Sequence, residues 1–285
     1  MVLEAAPAFD RPAAASMEDK LLSFIESNGS ETLDFDINDQ TLTICLVDTE
    51  DGRHRASSLI HKMYSSRGYD GTHHLQEGAN RITLTASIAE SVVGTITLGI
   101  DSPAGILADE IFKHEVDEHR ARGGNVCELT KLAFDPTVRS KLVLASLFHV
   151  AFIYLQRIHR CTDIFIEVNP RHRLFYERML GFKRQGARKM NPRVNAPAFL
   201  LWADVAYIDE QIRLYGGTSD GANIAKSLYP YFFPPLTEEQ NQSAIDRYRG
   251  EVHDHPITVS VLDELSWPFQ GRMHSDLSGH VEQSH

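Results

Sequence analysis

The chain predicts a mixed α/β protein, with one β-sheet flanked by helices and a helical extension behind it. Three observations carry this expectation. Along residues 41–206, β-branched runs of strand length alternate with longer stretches of helical periodicity, the pattern of a sheet covered by helices. Within that pattern the strand run from Ile164 to Val168 leads into a helix opened by Asn169-Pro170 and stopped by Gly181, and a new strand begins at Phe182. The longest helix candidate, Ser140 to Arg160, is apolar nearly all round (Leu142, Leu144, Leu147, Phe148, Phe152, Ile153, Leu155), so it must be buried on several sides.

Residues 1–38 open rich in Ala and Pro and turn acidic; Lys20 to Ile25 fits a short helix within a mobile lead-in. Thr41 to Val47 is the first strand, followed by an acidic turn from Asp48 to Asp51. Arg53 to Arg67 spaces Leu59, Ile60 and Met63 along one helical face, and Gly68 to Gly78 is a loop. Ile82 to Ile88 and Val92 to Ile100 are strands of a hairpin turning at Glu90-Ser91. An amphipathic helix over 105–122 stops at Gly123-Gly124, and the strand Val126 to Phe134 is closed by Asp135-Pro136. After the long helix come strand 162–168, helix 170–180, and strands 182–187 and 197–206. These elements define a domain over 39–206. Over 207–270, helical pieces at Ile208 to Leu214, Thr218 to Leu228 and Thr237 to Arg249 surround the aromatic-proline stretch Y-P-Y-F-F-P-P-L (229–236) and form an extension packed on the core. That stretch is too apolar to stand in water, and a packed clamp is favoured over lipid contact. Residues 271–285 are polar and expected to be disordered.

Composition narrows the function. At 285 residues, 42% hydrophobic and 24% charged, the chain has the usage of an ordinary globular protein. It has no run of about 18 apolar residues to span a membrane, and no basic start followed by an apolar stretch to serve as a secretory signal. Cys45, Cys127 and Cys161 sit in or beside apolar strand-like runs without C-x-x-C spacing, which points to reduced thiols in the cytoplasm. No histidine or cysteine cluster has metal-ligand spacing, so no metal is expected. The net charge is −11, yet Arg157 to Arg193 holds ten Lys/Arg against three Asp/Glu. A globally acidic chain with one basic segment is a poor nucleic-acid binder. The segment suits a small acidic protein or the phosphates of a cofactor, and equally a solvated helix and loop.

Residues 163–184 read D-I-F-I-E-V-N-P-R-H-R-L-F-Y-E-R-M-L-G-F-K-R, and after a short basic loop comes V-N-A-P-A-F-L-L. Strand, asparagine cap, Phe-Tyr-Glu helix and Gly-Phe stop resemble the C-terminal half of the Gcn5-related N-acyltransferase fold. The R-H-R and V-N-A-P segments are similar to those of the long-chain N-acyl amino acid synthases, which are related to acyl-homoserine-lactone synthases. Val93-Gly94-Thr95-Ile96-Thr97-Leu98 resembles the strand that lines the substrate cleft in acyltransferases, and C-E-L-T-K-L-A-F-D-P (127–136) resembles the E-L-(S/T)-R segment of both synthase families. The resemblance spans residues 41–206 and is most specific over 126–200. It implies a strongly bent sheet opened by a V-shaped splay beside strand 126–134. It implies transfer of a medium- or long-chain fatty acyl group from acyl carrier protein to the α-amine of an amino acid. The donor is then an acyl-phosphopantetheine thioester, and no bound cofactor is needed.

Acyl transfer to an amine needs a base for the amine, a donor for the oxyanion and an acid for the thiolate. The resemblance gives Glu128 as base, directly or through water; read from the strand alone, Glu128 is either aimed into a cleft or exposed at an edge. Tyr176 is the implied acid toward the thiolate, and by itself also reads as a packed aromatic with a wet hydroxyl. Thr130, Lys131, Phe134 and Asn195 are the implied substrate contacts; Lys131 stands where the families carry Arg and lacks its bidentate fork. Asn195 also reads as a plain turn residue. A basic face of Arg139, Lys141, Arg171, Arg173, Lys183 and Arg184, gathered near the Asn169-capped helix start, is the expected carrier and phosphopantetheine contact. The turn after strand 126–134, D-P-T-V-R-S-K, holds no glycine, whereas the coenzyme A-binding turn of acetyltransferases is glycine-rich; this favours a carrier-borne donor. Acyl-homoserine-lactone synthesis and a non-catalytic carrier- or lipid-binding module are the rival readings. Against the first, the N-terminal half lacks an Arg/Trp-rich pattern.

Overall fold

The computed structural model describes residues 33–37, 40–69, 75, 78, 80–138, 140–218, 227–234 and 258–259. Its elements run β1 (Leu33–Ile37), β2 (Gln40–Leu46), α1 (Glu50–Ser65), β3 (Arg81–Ile88), β4 (Ser91–Ile100), α2 (Asp109–Ala121), β5 (Val126–Phe134) and α3 (Lys141–Ile153), which continues as a π-helical turn over Tyr154–Ile158. Then follow β6 (Asp163–Val168), a 3₁₀ turn (Pro170–His172), α4 (Arg173–Leu180), β7 (Lys183–Asn191), β8 (Ala196–Asp204), α5 (Val205–Tyr215), a second 3₁₀ turn (Tyr229–Tyr231) and β9 (Thr258–Val259).

The strands form one sheet in the order β1-β2-β3-β4-β5-β6-β8-β7, with β9 beside β2. Every pairing is antiparallel except β5 with β6. That parallel pair holds for three residues only, Val126 with Asp163, Cys127 with Ile164 and Glu128 with Phe165. Beyond Glu128 the two strands part, which is the V-shaped opening expected beside strand 126–134. Just past the parting, β5 carries a bulge: Thr130 pairs with Thr97 and Ala133 with Thr95, so Lys131 and Leu132 face Ile96 together, and Lys131 takes a left-handed φ of 48°.

Side chains alternate between two cores. Cys127, Ile164, Ile166, Val168 and Leu201 pack on α3, and Val126, Phe165, Ala198 and Leu200 pack with Phe112 and Val116 of α2. α3 is buried at every position from Val143 to Ile153, as its all-round apolar sequence requires. Lys141–Ile158 is, among the described residues, the one helix long and apolar enough to cross a membrane; it is 72% buried inside the protein, as a core helix is.

Capping sets the element ends. The hydroxyls of Thr49 and Ser140 and the side-chain oxygens of Asn169 and Asp204 accept from Gly52, Val143, Arg171 and Ala206 N–H groups. Gly181 ends α4 in the left-handed region at φ 75°. Asp204 therefore closes β8 two residues earlier than expected from sequence, because its carboxylate opens α5. The β3–β4 hairpin turns on Ala89 and Glu90, at φ 46° and 68°, one residue before the expected turn. The sheet also begins earlier than residue 39, with β1 inside the segment expected to be a lead-in. The expected helices at 20–25 and 237–249, most of 218–228, most of the 68–78 loop and the 271–285 tail lie outside the described residues.

The aromatic-proline stretch is a clamp. Tyr229 donates its hydroxyl to Leu180 O at 2.7 Å, and Phe232 and Phe233 both stack on the His149 ring at 5.0 Å. Tyr229, Pro230, Phe232 and Phe233 are buried, so this surface is spent on the α3–α4 side of the core and not on lipid.

Candidate active site

The parting of β5 and β6 opens a cleft of about 380 Å³ through the sheet. Because side chains alternate, its two limbs differ. On the α3 side Ile96, Leu129, Leu132, Phe148, Ile166 and Val168 make an apolar limb. On the α2 side Glu167, Asn191 and Arg193 make a polar one.

The β7–β8 hairpin builds the polar limb. Asn191 Nδ2 donates to Glu167 Oε2 at 2.8 Å, and Arg193 Nη2 donates to Glu167 Oε1. Arg193 Nη1 reaches across to Leu107 O at 3.1 Å and to the Glu110 carboxylate. Burial pushes the Glu167 carboxyl up, Arg193 and the Asn191 amide pull it down, and the nearby Glu128 charge pushes it up again; the upward effects prevail. A carboxylate so raised, within a cleft, is poised to take a proton.

Glu128, expected to be the base, is placed elsewhere. It is 2% exposed and does not line the cleft. Oε1 accepts from Leu107 N at 2.8 Å and Arg81 Nη1 at 3.1 Å, and Oε2 accepts from Ala108 N at 3.0 Å. The side chain lies flat over Gly99, where a Cβ would come within 2.6 Å of its Cγ, so only glycine fits there. These three bonds tie the segment before α2 to the sheet.

Tyr176 does line the cleft, its ring packed among Phe148, Phe175 and Phe182. Burial holds its phenol well above the ordinary value, so it stays protonated and able to donate. Thr130 and Lys131 also line the cleft; burial first, then Arg81, lowers the Lys131 ammonium. Phe134 does not: it is buried on β5 directly opposite Gly94 of β4. Asn195 does not either: it is an exposed, left-handed turn residue at φ 45°, while its neighbours Val194 and Ala196 reach the cleft.

The expected basic face divides. Arg173 and Arg184 both lie over the Phe199 ring, at 5.5 and 5.3 Å, and Arg171 lies over Tyr69. Lys183 sits on Trp202, which packs with the α2-side core, so it belongs to the opposite face. Lys141 rests on Tyr231 at the start of α3, and Arg139 lies outside the described residues. Sequence reasoning missed Glu167, Asn191 and Arg193 as a group, and Arg67, Tyr64 and Tyr69 at the cleft wall. His172, read only as part of the R-H-R segment, lines the cleft too, and burial, Arg171 and Arg67 push it down to about 4; neutral, it accepts from Arg171 Nε at 3.1 Å.

Residues 55–204 match a protein family described as N-acyl amino acid synthase FeeM. The solved structure of FeeM, an N-acyl amino acid synthase from uncultured soil microbes, is similar with a TM-score of 0.54 and 27% identity, over 60% of this chain and 94% of that one. An acyl-CoA N-acyltransferase from Pseudomonas aeruginosa (TM-score 0.40, 13% identity, 56% of this chain and 98% of that one) also matches. So does the acyl-homoserine-lactone synthase LasI (TM-score 0.42, 11% identity, 58% and 90%). No curated protein matches the chain.

Proposed function

The chain belongs to the FeeM family of N-acyl amino acid synthases and is an acyltransferase of the Gcn5-related fold; on that premise we propose that it moves a medium- or long-chain fatty acyl group from acyl carrier protein to the α-amine of an amino acid. The observation that carries this reading is the two-limbed cleft through the sheet. Its apolar limb offers a fatty chain a lining of aliphatic and aromatic side chains, where each methylene removed from water contributes about 0.8 kcal/mol. Its polar limb offers an amine a buried carboxylate.

The thioester carbonyl sits where the limbs meet, beside the β5 bulge. The amine reaches it as a neutral nucleophile after giving a proton to Glu167. As the C–N bond forms, the carbonyl oxygen gains negative charge next to the Lys131 ammonium. The C–S bond then breaks, the thiolate takes a proton from the Tyr176 hydroxyl, and the nitrogen gives up its second proton to restore that hydroxyl, leaving the amide and the free thiol. A buried phenol of raised pKa still matches a thiolate that leaves into the same apolar surroundings.

A carrier-borne donor has separate support. At the start of α3, where acetyltransferases place pyrophosphate on a glycine-rich turn, the Ser140 hydroxyl already takes the Val143 N–H at 3.3 Å. Just before it stands Asp135, held at about 2 by Lys62 and Thr137 and so anionic. Both features disfavour pyrophosphate. The three free thiols fit a cytosolic enzyme.

The test is product analysis: purified protein, fatty acyl carrier protein and a mixture of amino acids, read by mass spectrometry beside a Glu167→Gln control. N-acyl amino acids should form, and the control should lose about 10²-fold in turnover or more, the size of a general-base contribution. Acyl-homoserine lactones made from S-adenosylmethionine would move the chain to the lactone synthases. Carrier binding without any product would make it a binding module.

A further inference from the structure

A second cavity, of about 800 Å³, lies against the cleft and has no part in the steps above. It is walled by the 101–110 segment, the start of β3 and the outer side of α2. Leu107 lines both cavities, Glu110 lines the second and Arg193 lines the cleft. Since Glu110 and Arg193 form an ion pair and Arg193 also donates to Leu107 O, the partition between the cavities is one leucine, its bond to Arg193 and one salt bridge.

The partition is anchored on one side and loose on the other. Glu128 holds the Leu107 and Ala108 amides, and Arg120 holds Asp101 and Asp109 at 2.7–2.8 Å, so the 101–109 backbone is tied down. Arg193 is fixed through Glu167, whose side chain is 11% exposed and bonded a second time by Asn191. Glu110 is 49% exposed, and Arg193 is its one side-chain partner among the described residues. An exposed carboxylate on a guanidinium is a weak contact, easily exchanged for another carboxylate of the same geometry.

We propose that the second cavity is the entrance for the amine acceptor, and that the acceptor's α-carboxylate displaces Glu110 from Arg193, opening the wall and setting its amine beside Glu167. The proposal rests on the reading of the chain as an N-acyl amino acid synthase. The acceptor class is then the zwitterionic α-amino acids: carboxylate and amine lie close enough to reach Arg193 and its partner Glu167 at once. Amines, amides and esters of amino acids cannot displace Glu110 and are excluded. Charge separates the two entrances. Four carboxylates (Asp101, Asp109, Glu110, Asp117) and three cations line the second cavity, which accepts a net-neutral zwitterion better than a polyanionic donor. The cleft wall carries Arg67 and His172, with Arg171 bonded to His172, and suits the donor's phosphate.

Steady-state kinetics at saturating acyl carrier protein test this, comparing an accepted amino acid with its α-amide. The wild type should strongly prefer the free acid. Glu110→Gln should lower KM for the free acid, because the internal competitor is gone. Arg193→Gln should raise that KM roughly 10- to 100-fold, the size of a lost charge-assisted contact, abolish the acid-over-amide preference and leave KM for the donor in place. Equal use of acid and amide by the wild type, or an unchanged or raised KM in Glu110→Gln, overturns the entrance. Glu110 is half exposed, so that variant decides the matter even if Arg193→Gln fails to fold. Should the wild type acylate no amino acid at all, the synthase reading falls first. If it acylates them and neither variant shifts KM, only the entrance falls.

Discussion

Glu128 meets two backbone N–H groups and one guanidinium within 3.1 Å, while Glu167 meets one amide and one guanidinium and lines the cleft. The first set of partners saturates a carboxylate and ties two segments together; the second leaves it open to a ligand. Their substitutions should therefore fail differently. Glu128→Gln turns an NH₂ group toward donors, leaving a buried N–H without an acceptor at about 1–3 kcal/mol. For a domain of this size each kcal/mol lowers Tm by roughly 2–4 °C. Turnover should fall along with Tm, but the acid limb of the kcat/KM–pH profile should stay where it is, because in the proposed mechanism that limb belongs to Glu167. In Glu167→Gln the limb should vanish with little change in Tm. A Glu128→Gln enzyme of native Tm that has lost its acid limb would restore Glu128 as the base.

At the scale of elements, the clamp over α3 makes a titration with a definite sign. His149 takes the Phe233 N–H on Nδ1 at 3.0 Å, so its proton sits on Nε2 and the ring is neutral. Burial, then Arg157, pushes it down to about 3 from an ordinary value of 6.5. The unfolded chain thus binds this proton between pH 6.5 and about 3 while the folded chain does not. Stability from the neutral ring is whole above pH 6.5 and is lost as pH falls through that window. His149→Asn keeps an acceptor for Phe233 N–H without a titrating ring. Its Tm should fall less steeply than the wild type's between pH 7 and 4, and parallel slopes would sink the assignment. Nothing local marks His149 as an acceptor, because its partner lies 84 residues away. The same limit governs the rest of the reading. Asn169, Gly181 and the all-round apolar α3 were legible because caps and periodicity are local. β1 carried a local signal too, Leu33, Phe35 and Ile37 alternating with Asp34 and Asp36, hidden by the acidic composition around it. Glu128 was legible as unusual but not in its role, since which side of a splayed strand meets the cleft depends on its neighbours. Glu167 alternates like any half-buried strand residue, and only the hairpin that returns Asn191 and Arg193 to it shows it as a site.

Across the whole molecule, charge and shape coincide on one side. The chain carries −11, yet ten of its 28 Lys/Arg fall between Arg157 and Arg193, and the fold gathers Arg173 and Arg184 over Phe199 beside the α4 start. Phe199 pairs across the sheet with Val168, which lines the cleft. If the proposed carrier-borne donor enters this cleft, a basic surface so close to it should speed the encounter with an acidic carrier more than it tightens the final complex, and it should do so only at low salt. Arg173→Glu with Arg184→Glu should raise KM for acyl carrier protein by about 10-fold or more at low ionic strength. The gap should close toward 0.5 M salt, where screening acts over a few ångströms. Lys183→Glu reverses a charge next in sequence but on the opposite face, over Trp202, and should leave that KM unchanged. A salt-independent loss in the double variant would mean that the two arginines support Phe199 and not a partner. An equal loss in Lys183→Glu would mean that net charge, and not this face, attracts the carrier.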